Sequence, residues 1–285
     1  MTIKTLLILA LAGFTVFFVV TLAAAVKKNR GETPSLLQTA IGFVTNFFDT
    51  LGIGSFAPTT AIFKLKKLVP EELIPGTLNV GHTLPTITQA FLFITAVGVE
   101  PKTLLLLIAA AILGMWLGAG VVSKWPRRNI QIGMGVALLV AAALTLQAIF
   151  KKEVAGGTAL ELTGVKLALG FAGNFALGAL MSLGIGLYGP CLILISLLGM
   201  DPKAAFPIMM GSCAFLMPVG SARFVREGGF QLRSALGLAL GGIPAVLLAF
   251  YLVKSMPLEY VRWLVVVVVV YTAVTMLRSA MAEKK

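Results

Sequence analysis

Gly42-Phe43-Val44-Thr45-Asn46, followed by Leu51-Gly52-Ile53-Gly54 and Pro58, stands inside an otherwise apolar stretch. Much the same wording returns as Gly170-Phe171-Ala172-Gly173-Asn174, Leu183-Gly184-Ile185-Gly186 and Pro190. Gly184, Pro190, Pro202 and Pro207 follow Gly52, Pro58, Pro70 and Pro75 by 132 residues each, whereas Asn174 follows Asn46 by 128. The second copy thus carries about one extra helical turn, which nearly preserves the face presented. A duplication with glycine- and proline-interrupted hydrophobic segments at matching places is a sequence sign of a secondary transporter. The interruptions point to its binding site.

Outward from these motifs the chain stays apolar. Of its 285 residues 58% are hydrophobic and only 12% charged, and the mean hydropathy is +0.98. A soluble protein of this size needs far more surface charge. Apolar runs recur at 5–26, 75–97, 103–123, 129–150, 203–222, 232–253 and 263–277. About 20 residues of helix cross the hydrocarbon layer, and runs of this length satisfy their backbone there only as helices. The chain therefore reads as an all-α polytopic membrane protein.

The net charge of +12 does not make it a nucleic-acid binder, because the basic residues sit in short loops instead of forming a basic, aromatic-interleaved domain. Cys191 and Cys213 lie in apolar segments and read as small buried hydrophobes. Ala23-Ala24-Ala25 could close a signal peptide, but the apolar core before it is long and Lys27, Lys28 and Arg30 follow it. That flank belongs to an anchored helix.

Basic residues also bear on topology. If both glycine motifs crossed the membrane, the side holding Lys27, Lys28 and Arg30 would collect thirteen of the 23 basic residues. If both are re-entrant hairpins, that side collects fifteen: Lys27, Lys28, Arg30, Lys64, Lys66, Lys67, Lys124, Arg127, Arg128, Arg223, Arg226, Arg233, Arg278, Lys284 and Lys285. The positive-inside rule favours hairpins, with a cytoplasmic C-terminus. A hairpin plus three spans is an odd number of crossings, so the second copy is expected to be inverted. The organisation expected is an additional helix over 1–30, a first repeat over 31–150 and a second over 151–285, forming one integrated transport domain. Loop 64–72 should be cytoplasmic and loop 151–163 external.

At the glycine motifs the chain resembles the TauE/SafE family of permeases, the sulfite exporter superfamily. Gly42, Gly52, Gly54 and Pro58, then Gly170, Gly184, Gly186 and Pro190, carry the resemblance, with the basic and proline turns Lys124-Trp125-Pro126-Arg127 and Lys254-Ser255-Met256-Pro257. It covers about residues 35–280. It implies a carrier of a small, usually sulfur-containing anion, such as sulfite, thiosulfate, a sulfonate or a related organosulfur acid, in the cytoplasmic membrane of a prokaryote. Where that pattern has three glycines this chain has Gly54-Ser55-Phe56 and Gly186-Leu187-Tyr188, which narrows the expected site.

Several polar residues lie at depth. Asn79, His82, Thr83, Thr86 and Gln89 share one helical face, and such a face inside a membrane must meet the bundle interior or a wet cavity. Pro85 interrupts the same helix and frees a carbonyl. His82 is the only histidine, and because an unperturbed imidazole has a pKa of about 6.5 it is the expected proton-linked group. Asp49 is the acid closest to either glycine tip, and a carboxylate there is a functional candidate by default.

The expected substrate contacts are Asn46, Gly52, Gly54, Ser55, Thr59, Asn79, His82, Thr83, Asn174, Gly184, Gly186 and Tyr188, with Thr60 nearby and Asp49 and His82 as proton-coupling groups. Half-helix starts at the tips would supply N–H groups to one anion near the midplane. Coupling to H+ or Na+ and homo-oligomerisation both stay open. No cofactor or metal is expected. An anion channel is the alternative. A membrane enzyme fits less well, since arginine is confined to loops and no His-Glu-x-x-His occurs.

Overall fold

A computed structural model of the chain describes residues 2–28, 33–118, 126–150, 157–181 and 186–282. Helices account for nearly all of them: α1 (Ile3–Lys28), α2 (Leu36–Thr50), α3 (Phe56–Lys66), α4 (Ile74–Ala96), α5 (Pro101–Leu113), α6 (Arg127–Phe150), α7 (Gly164–Met181), α8 (Tyr188–Leu197), α9 (Ala205–Glu227), α10 (Leu232–Ser255) and α11 (Leu258–Ala282). The described residues form no strand, only an isolated bridge between Ala159 and Met200.

Six of the described helices are long and apolar enough to cross a membrane, namely α1, α6, α7, α10, α11 and α9 with the turn before it. The protein is a multi-pass α-helical membrane protein. Two segments differ from the sequence expectation. Within the run at 103–123, α5 passes at Gly114 into a π turn over Gly114–Gly118, and 119–123 lie outside the described residues. The run at 75–97 forms a helix of 23 residues, long enough to span at about 1.5 Å per residue, but its polar face lowers its hydropathy.

Packing divides the chain into two compact units. One comprises Met1–Thr95 with Cys213–Lys254, the other Ala96–Ser212 with Ser255–Lys285. Each draws helices from both sequence copies.

In the first unit, α2 opens on a capping box. Ser35 Oγ accepts from Gln38 N–H (3.3 Å), and Gln38 Oε1 accepts from Ser35 N–H (2.9 Å). Such a cap contributes about 1 kcal/mol. After Thr50 the chain turns through Gly52 (φ 99°) and Gly54 (φ 87°), values that a β-carbon disfavours. α3 then doubles back. Ile41, near the start of α2, and Phe63, near the end of α3, share one core cluster with Val69, Ile74 and Leu78. In an unbroken helix those two residues would lie about 30 Å apart.

The starts of α2 and α4 also lie at one level. Gln38 Nε2 donates to Ser234 Oγ (2.8 Å), and Gln231 N–H, one turn earlier in the chain, donates to Thr77 Oγ1 (2.9 Å). At the other end of α4, Lys4 Nζ donates to Thr95 O (3.1 Å). α1 belongs to this unit, with Phe18 and Leu22 packed on Val80, Leu232 and Ala235.

α10 lies on α2 almost backbone to backbone. A β-carbon at Gly42 would fall 2.6 Å from Leu238 Cα and O, and one at Gly241 would strike Thr39 O. Small residues at such crossings let dispersion act over a long contact where lipid removes the hydrophobic drive.

The second unit has its own doubled-back pair. Gly157 N–H donates to Met200 O (3.2 Å) and Asp201 N–H to Ala159 O (2.9 Å), which joins the segment before α7 to the segment after α8. α5 packs on α7 through Gly178 against Ala111 O and Gly114 against Phe175 O. Glu100 caps α5. Burial alone would raise its carboxyl, but hydrogen bonds from Lys102 and Thr103 bring it below the usual carboxylate range. α11 meets α8 where Gly189 faces the Thr272 hydroxyl, and Arg128 Nε donates to Ala280 O (3.1 Å).

Candidate functional site

The first hairpin and α4 enclose a chain of buried polar groups. Asn46 Nδ2 donates to Gly42 O (2.7 Å), one turn back on α2. Asn46 Oδ1 lies 3.0 Å from His82 Nδ1, and His82 Nε2 lies 3.2 Å from Thr59 Oγ1. Thr59 Oγ1 donates to Ser55 O (2.7 Å). The sole histidine is thus held between the outgoing and returning helices of the hairpin.

Two turns along α4, Gln89 Nε2 donates to Asp49 Oδ2 (2.8 Å) and to Thr50 Oγ1 (2.9 Å). Thr50 Oγ1 donates back to Asn46 O (2.8 Å). The Ser55 hydroxyl and N–H turn toward the same Asp49 carboxylate. Asp49 therefore stands at the start of α3, where the helix dipole favours negative charge. Asn46, Thr59, His82 and Gln89 are completely buried, and Asp49 is 3% exposed. Satisfied networks of this kind rigidify a site in low dielectric, and each lost partner strands a buried polar atom.

α3 begins without a side-chain cap bond, and so does α8. Both carry proline at the third helical position, Pro58 and Pro190. Phe56 lies over the imidazole at 5.7 Å between ring centroids and is 39% exposed, so it screens His82 from outside.

The polar face of α4 is shared among several neighbours. His82 and Gln89 turn to the hairpin, whereas Thr83 Oγ1 donates to Asn79 O (2.6 Å) and meets Ser221 Oγ of α9 (2.8 Å). Asn79 is half-buried and bonds Pro75 O (2.9 Å). Thr86 is buried. Thr50, which joins Gln89 to Asn46, has no place in the sequence reading. Its spacing of four from Asn46 was the available signal.

In the second unit Asn174 Nδ2 donates to Leu107 O (2.6 Å), and its Oδ1 is buried with no hydrogen-bond partner among the described residues. That atom is an acceptor, which faces donors and not anions. Gly186 is exposed and Tyr188 buried, while Gly184 lies outside the described residues. Nothing lies within 4 Å of a β-carbon placed at Gly54 or Gly186. Two surface grooves lie away from the polar chain, one at Val19, Leu22, Val26, Lys27 and Leu236, the other at Val219, Arg223, Arg226 and Glu227.

In the second sequence copy the segment before α7 is joined to the segment after α8, within a multi-pass helical protein. Residues 166–285 match the model of the Sulfite exporter TauE/SafE family. The resemblance read from the glycine motifs is borne out over that stretch. The TauE/SafE match takes in Asn174, Gly184, Gly186 and Tyr188, and it points to a membrane transporter of sulfite-type anions. The first hairpin, with Asp49 and His82, precedes the matched residues. No curated protein and no solved structure matches the chain.

Asn46, His82 and Thr59 stand in the order orienter, base and hydroxyl used in nucleophilic catalysis. Here all three are fully buried, and the Thr59 hydroxyl already has Ser55 O as acceptor. Burial of the trio and the Ser55 acceptor both stand against attack on a substrate.

Proposed function

We propose that the protein is a secondary carrier that moves a small sulfur-containing anion across the cytoplasmic membrane of a prokaryote by alternating access, with a proton as the coupling ion. The observation that carries this reading is the Asp49 carboxylate buried at the start of α3, tied to the one histidine through the hairpin. An uncapped helix start is where an anion would bind, and Asp49 is an internal anion at that place. Protonation of Asp49 would release its claim on the α3 start, so that substrate anion and proton are taken up together.

The test is a thermal-shift screen of purified protein against sulfite, sulfate, thiosulfate, sulfonates and short carboxylates. A ligand present at about 100 times its Kd stabilises by about 2.7 kcal/mol. A shift with one or more sulfur anions, growing as pH falls, supports the reading. A flat response to every anion removes it.

Asn46→Ala and Asn174→Ala are each expected to weaken anion binding indirectly, since Asn46 holds Gly42 O and His82 and Asn174 holds Leu107 O, by about the 1–3 kcal/mol of a buried partner left unsatisfied. Gly54→Leu and Gly186→Leu should weaken it further, because each side chain would enter open space at its tip. Calorimetry on variants with a monodisperse elution profile measures this. If affinity survives all four changes, the glycine tips serve packing, and the site lies along the Asn79–Gln89 face.

The hairpins imply a sidedness. Cysteines at Lys66 and Glu161 should label from opposite faces of the membrane, Lys66 from the cytoplasm. Contacts such as Gln38 with Ser234 and Thr77 with Gln231 support an even number of crossings between α2 and α4. Labelling of both positions from the same face would defeat the inverted arrangement.

A further inference from the structure

Gly42 O is a carbonyl oxygen and can only accept, so the Asn46 atom facing it at 2.7 Å is the amide nitrogen. Asn46 Oδ1 therefore faces His82 Nδ1 at 3.0 Å, and this oxygen too can only accept. Nδ1 must carry the hydrogen. The lone pair of a neutral His82 is then on Nε2, pointing at Thr59 Oγ1.

Thr59 has a single hydroxyl hydrogen and two acceptors, Ser55 O at 2.7 Å and His82 Nε2 at 3.2 Å. When His82 is neutral that hydrogen can satisfy Nε2. When Nε2 gains a proton it becomes a donor to Thr59 Oγ1, and the hydroxyl hydrogen is then confined to Ser55 O. Ser55 is the last residue of the glycine turn and the neighbour of Asp49.

We propose that Asn46 locks His82 in the Nδ1–H form, which makes Nε2 the one atom where this histidine gains the coupling proton, and that Thr59 relays the change to the hairpin tip. Asn46 and Thr59 are positioning residues in this scheme. It deepens the carrier reading and rests on it for the source of the proton, water or hydronium on the side to which the site is open. One proton adds to Nε2, imidazole becomes imidazolium, and release reverses the step.

The titratable neighbours are few. α2 contributes Asp49 beyond Ser55. α3 carries Lys64 and Lys66 at its far end, where Lys64 pairs with Glu71. α10 carries Arg233 and Lys254 at its two ends.

Because the chain has one histidine, full-length protein labelled with 15N-histidine gives a single imidazole spectrum. The neutral form should show Nδ1 protonated and Nε2 bare in the wild type, and Asn46→Leu should lose that preference. Thr59→Val should lower pH-driven uptake by roughly tenfold or more, the weight of one hydrogen bond to a charged group. Thr59→Ser, which keeps the hydroxyl, should restore it. A wild-type spectrum with Nε2 protonated and Nδ1 bare overturns the lock, and this reading needs no variant to fold. Equal pH profiles for Thr59→Val, Thr59→Ser and wild type overturn the relay. A locked Nδ1–H form in a protein that no anion stabilises keeps the lock and removes the carrier reading instead.

Discussion

His82→Gln and Asp49→Asn are expected to abolish concentrative, pH-driven uptake while leaving counterflow exchange of labelled substrate. Exchange returns the carrier loaded, so it does not require the coupling proton to leave. Glutamine can still bond Asn46 Oδ1 and Thr59 Oγ1, the two partners of His82, but it does not titrate. The Asp49→Asn change would be less benign than its near-identical shape suggests. Gln89 Nε2 and the Ser55 donors all face the carboxylate, and one of them would meet an N–H where an acceptor was. An unsatisfied buried group costs about 1–3 kcal/mol, so the elution profile of this variant has to be checked before its transport is read. If both variants concentrate substrate with the wild-type pH dependence, neither residue is the coupling group.

Gly241→Leu should prevent folding of the first unit, and Gly42→Leu should come close to doing so. A β-carbon at Gly241 strikes Thr39 O, and one at Gly42 falls 2.6 Å from Leu238 backbone atoms. Overpacking usually costs about 1–3 kcal/mol. The cost rises here because backbone, not a side-chain end, must move, and total stability is only about 5–15 kcal/mol. Gly13→Leu is the control, since nothing lies within 4 Å of a β-carbon there. Its melting temperature should stay near the wild-type value while Gly241→Leu yields no monodisperse protein. A normally eluting Gly241→Leu variant would contradict the close approach of α2 and α10.

The membrane class and the turn of the first hairpin were legible in the sequence because both depend on local quantities. Hydropathy over about 20 residues decides whether a helix lies in lipid. Gly52 and Gly54 permit positive φ at the turn, and the four residues added to the second motif lie between Asn174 and Gly184, beside an α7 of 18 residues against 15 in α2. The polar face of α4 was likewise visible as a period in the sequence. The change of α5 to a π turn at Gly114 was not, since such a turn leaves the apolar run unchanged.

Partner choice lay beyond the sequence. Periodicity states that His82, Thr83 and Gln89 share a face of α4. It does not state that His82 meets Asn46 and Thr59, that Gln89 meets Asp49 and Thr50, or that Thr83 meets Ser221. Nor does it state that α10, from the second copy, packs on the first hairpin while α5, from the first copy, packs on the second. The two asparagines read alike in the motifs, yet Asn46 has His82 on its oxygen and Asn174 has no partner there among the described residues. The position 132 residues after His82 is Ala214. Local pattern sets helix, turn and face through contacts a few residues apart, whereas a hydrogen-bond partner is set by which distant helix comes within about 3 Å, and that distance exists only in the folded chain.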